Sequence, residues 1–132
     1  MPNIIEQSCT QIPKIDFEKI FKNYQHIWPG LNYSIACDNP PCEGYNDLII
    51  LHRGLGEFDL GDRIHCPICL EFLDRKSIKS LIFFKANTSI DFELTDGYRK
   101  IISLSARGNR LLLFGDRTER AMYSKLRINV ID

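Results

Sequence analysis

Two periodicities divide the chain. Over residues 16–27 the apolar side chains fall at Phe17, Ile20, Phe21, Tyr24 and Ile27, a spacing of three and four that lines one side of a helix. Asp16 is placed to cap that helix by accepting from a free N–H of the first turn, and Pro29-Gly30 ends it. Beyond Gly30 the helical spacing disappears. Short runs rich in Ile, Leu and Phe, bounded by turn residues, predict strands over 33–36, 48–52, 80–84, 89–94, 100–104, 110–114 and 123–131. Asn39-Pro40-Pro41 forces a non-helical bend, segment 54–61 reads as a glycine-punctuated loop or bulge, and Gly115-Asp116-Arg117 is a turn. The expectation is an α+β fold, mainly β. Residues 1–30 supply an arm and an amphipathic helix, and residues 31–132 a single antiparallel β domain. The aromatic stripe suits core packing first and a partner's surface second.

Composition narrows the class. A chain of 132 residues with 44% hydrophobic and 26% charged residues suits one folded domain and not a disordered segment. Its longest apolar runs are four residues (Leu48 to Leu51, Leu81 to Phe84, Leu111 to Phe114), far short of the roughly 20 that span a bilayer as a helix. No basic leader with a long apolar core opens the sequence. An intracellular, cytoplasmic setting is therefore expected, with export as an effector lacking a signal peptide left open. The 17 Lys+Arg balance 17 Asp+Glu, which argues against a global grip on nucleic acid or an anionic membrane. That balance is uneven along the chain: residues 1–97 hold 9 basic and 14 acidic side chains, residues 98–132 hold 8 and 3. The simplest reading is that the two parts neutralise each other across one fold.

The chemistry lies in the cysteines. Cys37, Cys42, Cys66 and Cys69 are spaced C-x4-C-x23-C-x2-C, with Cys9 alone upstream. An odd total without a signal peptide is a poor match to a disulfide framework, whereas two close pairs suit a metal. In His65-Cys66-Pro67-Ile68-Cys69 the proline shapes a tight turn on which two thiolates converge; Cys37 to Cys42 is a longer knuckle of the same kind. A hairpin between them closes a four-cysteine site for one structural Zn2+ per chain, with no open coordination position. His65 is a candidate replacement ligand, but both pairs are complete without it. His52 lies in an apolar strand, and His26 at the helix end. No catalytic constellation emerges. Nothing singles out Cys9 with His26 or His52, Asp59 and Asp62 suit a solvated turn, and Gly54-Leu55-Gly56 lacks the Lys and Ser/Thr of a phosphate loop. The chain is not expected to be an enzyme.

Two resemblances arise from these residues. The string from His65 through Cys66-Pro67-Ile68-Cys69-Leu70-Glu71-Phe72-Leu73 resembles the opening of a RING finger, but no Cys or His follows Cys69, so the remaining ligands are missing. A U-box, which uses no zinc, leaves the upstream pair unexplained. A longer likeness starts at Cys37-Asp38-Asn39-Pro40-Pro41-Cys42 and Tyr45-Asn46. It continues through His52-Arg53-Gly54-Leu55-Gly56-Glu57-Phe58-Asp59, Cys66-Pro67-Ile68-Cys69, Ile82-Phe83-Phe84, Ser89-Ile90-Asp91-Phe92 and Leu126-Arg127-Ile128. Over residues 33–132 it is similar to a cysteine-rich domain of fungal and protist proteins that often accompanies ubiquitin-like domains. The strand after the second pair commonly carries another cysteine there, and Lys85-Ala86-Asn87 here lacks it. The resemblance implies a zinc-stabilised interaction module with a ubiquitin connection, and no activity.

The functional expectation is a protein-binding adaptor, with the loop residues Leu55, Glu57 and Phe58 as the first contact surface and ubiquitin or a ubiquitin-pathway component as partner. Membrane binding is not expected. One alternative is a nucleic-acid-binding zinc ribbon using Arg99, Lys100, Arg107, Arg110, Arg117, Arg120 and Lys125. Another is a degenerate RING-like ubiquitin-ligase component.

Overall fold

The computed structural model describes residues 10–13, 22–59, 63–73, 77–114 and 123–132. The elements are β1 (Thr10–Pro13), β2 (Gly30–Ile35), β3 (Ile49–Gly54), β4 (Gly56–Asp59), β5 (Ile64–His65), β6 (Phe72–Leu73), β7 (Ile78–Leu94), β8 (Arg99–Phe114) and β9 (Tyr123–Ile131). All pairings are antiparallel. β5 and β6 form a separate two-stranded ribbon, and the other seven make one curled sheet.

β7 is the spine of that sheet. β8 runs along one side of it; the other side takes β2 on its first half and β9 on its second. β3 then adds to β2 and β4 to β9, while β1 adds to the far side of β8. The strands expected at 80–84 and 89–94 are thus two halves of one, as are those at 100–104 and 110–114. A bulge separates the halves. Between the pairs Phe84↔Leu111 and Ala86↔Ala106, β7 has only Lys85, at φ 48°, against residues 107–110 of β8, which include Gly108 at φ 63°.

That bulge decides which way the side chains face, because a strand's side chains alternate. Leu81 and Phe83 enter the main core before it; Ala86, Ile90, Phe92 and Leu94 enter the same core after it. Ile82 and Phe84 turn to the opposite side and join Ile27, Ile50 and Leu111 in a second apolar cluster. Burial on both faces accounts for the unbroken apolar run from Leu81 to Phe84. The second half of β7 is buried on one face only and alternates.

The N-terminal helix is corrected. Phe17, Ile20 and Phe21 lie outside the described residues, and no α-helix occurs among those described. Where the helix should continue, a turn closes with Gln25 N–H donating to the Lys22 carbonyl, and the chain then runs irregularly to β2. Long-range bonds outcompete the local pattern here. The Tyr24 carbonyl accepts from the Ile50 N–H, and the Asp47 carboxylate accepts from Lys22 Nζ (2.6 Å), Tyr24 Oη (2.7 Å) and Gln25 Nε2 (3.1 Å). Among the described residues the fold is a curled antiparallel β sheet, in place of the expected α+β arrangement.

Two outcomes follow from this packing. Gly30 has φ 100°, and a Cβ there would stand 2.5 Å from the Gly54 carbonyl oxygen on the neighbouring strand. Gly30→Ala should therefore cost about 2 kcal/mol or more in denaturant unfolding. The bonds from Lys22 and Tyr24 and the Leu48 N–H hold the Asp47 carboxyl down at about 2, below its ordinary 3.8. A depressed carboxyl adds stability that is complete above the ordinary value and lost as pH falls toward the depressed one. Thermal unfolding between pH 4 and 2 should show that loss, and Asp47→Asn should diminish it.

Candidate metal centre

The four paired cysteines come from two turns packed against the sheet. Cys37 follows the end of β2, where Ala36 N–H donates to the Ser77 carbonyl. From there the chain makes successive turns, with Cys42 N–H to Asn39 O, Tyr45 N–H to Cys42 O and Asp47 N–H to Gly44 O. Pro40 and Pro41 suit this path because it needs no N–H from either. Space at Gly44 is limited: a Cβ would lie 2.5 Å from Ile49 Cδ1 and 2.8 Å from Ile68 Cδ1, both side-chain ends, so the first knuckle packs closely on the second.

Cys66 and Cys69 cap the β5–β6 ribbon, whose pairs are Ile64↔Leu73 and His65↔Phe72. Cys66 N–H donates to the Glu71 carbonyl and Leu70 N–H to the Cys66 carbonyl, closing the turn. Leu70 takes φ 66°, the left-handed region where a Cβ is strained. Its side chain is 72% exposed, so no packing repays that strain. His65 leaves the turn in another direction. Its ring stacks 4.3 Å from Phe72, and Nδ1 lies 3.3 Å from the Leu70 carbonyl oxygen. It is not part of the sulfur group.

The sulfurs converge. Cys37 Sγ is 3.6 Å from Cys69 Sγ, Cys42 Sγ is 3.7 Å from Cys66 Sγ, and all four lie within 4.8 Å of one another. A tetrahedral ion with metal–sulfur bonds of about 2.3 Å puts its sulfurs about 3.8 Å apart, so this group can hold a metal ion. Cys37, Cys42 and Cys66 are buried in the main core and Cys69 is half-buried.

The electrostatic surroundings of the four thiols are divided. Burial pushes the Cys37 thiol up to about 12 and raises Cys42, while the Asn39 side chain and the Glu71 N–H bring Cys69 down to about 6. The N–H groups of Asn39 and Gly44 also favour the thiolates of Cys37 and Cys42, against their burial. Crowded, desolvated sulfurs that are partly supplied with N–H donors form a group able to hold a cation. No family model, curated protein or solved structure matches the chain.

None of the other residues chosen from the sequence belongs to the sulfur group. Segment 56–59 is strand β4, paired with Ile128 and its neighbours on β9, rather than a free loop. Leu55, at the bend, is 52% exposed and Glu57 is exposed, but Phe58 packs on the main core with the Arg53 guanidinium 5.1 Å from its ring. Among the C-terminal cations, Arg99, Lys125 and Arg127 line one cleft with Asp59, Asp91 and Glu93. Register explains it: Arg127 opposes both Asp59 and Asp91, and Glu93 opposes both Arg99 and Lys125. Arg99 adds a bidentate bond to Asp91 at 3.0 and 3.2 Å. Lys100, Arg107 and Arg110 are exposed elsewhere on β8; Arg117 and Arg120, with Cys9, lie outside the described residues.

Sequence reading found the sulfurs from spacing alone. It missed Asn39, Gly44 and Leu70, whose parts are a bond to sulfur, a close approach and a left-handed turn. For Leu70 the only available signal was its place directly after a C-x2-C, where the turn needs a positive φ. Leu70→Gly should relieve about 1–2 kcal/mol of left-handed strain and give back about 0.5–1 kcal/mol of unfolded-state entropy. Urea unfolding should therefore show a small net gain in stability.

Proposed function

We propose that this chain is a zinc-stabilised protein-interaction module and not an enzyme. The observation that carries the reading is the group Cys37, Cys42, Cys66 and Cys69, within 4.8 Å of one another and mostly buried. Four thiolate donors at tetrahedral spacing favour Zn2+, and a complete set of protein ligands leaves no coordination position for chemistry. Its role is then mechanical. The site joins the turn after β2 to the β5–β6 ribbon, and a two-stranded ribbon has little stability alone. Unpaired thiols of this kind persist in reducing compartments, which goes with an intracellular, cytoplasmic setting. The link to ubiquitin rests on the resemblance of residues 33–132 to the fungal and protist cysteine-rich domain. The nucleic-acid reading has less support, because Arg99, Lys125 and Arg127 are matched by acids across the strands.

Purified protein should contain one zinc per chain by elemental mass spectrometry. Cys66→Ser should lose the metal and either unfold or drop in stability by about 3 kcal/mol or more, since metal binding is part of the folding free energy. Retention of one zinc with a parental melting curve would refute the assignment.

A further inference from the structure

We infer that the four-cysteine group is a peroxide-responsive switch: oxidation joins Cys69 to Cys37 and frees the metal, and the new disulfide then ties the two turns together in its place. This names the regulation of the site proposed above and rests on that reading.

Access selects the first sulfur. Cys37, Cys42 and Cys66 are buried, and Cys69 is half-buried. A small hydroperoxide therefore meets Cys69 before the other three. Proximity selects the second sulfur. Across the two turns Cys69 Sγ stands 3.6 Å from Cys37 Sγ, and Cys66 Sγ stands 3.7 Å from Cys42 Sγ. A disulfide needs about 2.05 Å, so Cys69 and Cys37 have about 1.5 Å to close.

The oxidation balances with one hydroperoxide as the named oxidant. The Cys69 thiolate attacks a peroxide oxygen, the O–O bond breaks, hydroxide departs and Cys69 carries a sulfenic acid. The Cys37 thiolate then attacks the Cys69 sulfur; the S–S bond forms, the S–O bond breaks and a second hydroxide departs. Two thiolates give up two electrons, and the peroxide takes both. Cys42 and Cys66 remain, which is too few donors for a structural zinc site.

The choice of pair decides what happens to the fold. The β5–β6 ribbon has no ladder with the main sheet, so its link to the turn after β2 runs through the sulfurs and the core contacts of Ile64 and Leu73. A bond between Cys66 and Cys69 lies within the ribbon's own turn and ties nothing across. A bond between Cys37 and Cys69 joins the same two turns that the four sulfurs bring together, and it constrains the chain between them. Exchange with a dithiol reverses it.

The test uses the full chain carrying Cys9→Ser, since Cys9 lies outside the described residues. The protein is purified under reducing conditions with the metal it carries and treated with hydrogen peroxide at neutral pH. Zn2+ release is followed with a chromogenic chelator. Dimedone, which labels sulfenic acids, should mark Cys69 first. Peptide mapping without reduction should give Cys37–Cys69 as the first disulfide, in step with metal release, while circular dichroism keeps its strand signal. Dithiothreitol with added zinc should restore both thiols and metal. A first label on another cysteine would overturn the inference. A first disulfide within one turn, between Cys42 and Cys66 or between two chains would do so too, as would loss of the strand signal on oxidation. Four unreacted thiols at millimolar peroxide would also sink it. Metal content before treatment tests the module reading separately, because the order of labelling and pairing is read whether or not zinc is bound.

Discussion

A strand that serves as the spine of a sheet has to satisfy neighbours on both sides and cores on both faces. β7 does this over 17 residues, and it can only do so because one residue, Lys85, is set out of the alternation. Before the bulge, Ile82 and Phe84 face the smaller cluster and Leu81 and Phe83 the main one; after it, the main core is lined from the other parity. Without that extra residue, Ala86, Ile90 and Phe92 would face away from the core that now buries them. The answering bulge at 107–110 of β8 lets the hairpin follow the change. β2 and β9 share one side of β7 on either part of the strand, so the positions of β3 and β4 follow from it too.

The cysteine cluster is attached to this frame rather than built into it. β5 and β6 make no ladder with the main sheet, and they are held by Ile64 and Leu73 in the core and by sulfurs facing those after β2. A proposed metal at that point does what a hydrogen-bond ladder does elsewhere. The strain at Leu70 and the close approach of Gly44 to Ile49 and Ile68 are local costs of bringing the two turns together. They are met where the turns converge on the sulfurs.

Charge illustrates how a linear pattern becomes a spatial one. The acidic first 97 residues and the basic remainder meet as alternating cross-strand pairs over β4, β9, β7 and β8, which is where Asp59, Arg127, Asp91, Glu93, Lys125 and Arg99 lie together. Lys100, Arg107 and Arg110 of β8 lie outside these pairs.

The sequence by itself determined the four converging thiols, the strand-rich body and the approximate place of most strands. Each rests on short-range information, the spacing of C-x4-C and C-x2-C and the clustering of apolar residues between turns. It also suggested a helix at 16–27, and the described part of that segment shows why such a reading fails. Tyr24 and Ile27 obey helical spacing, yet the bonds that fix the segment come from Asp47 and Ile50, more than 20 residues away. In segment 54–61 the glycines do mark a bend, at Gly54 and Gly56, but β4 after it was not legible, since it exists only because β9 pairs with it. Bulges that join half-strands and the register that matches charges were decided by the tertiary structure alone. They are properties of pairs of strands, and no single stretch of chain carries the information that fixes a pair.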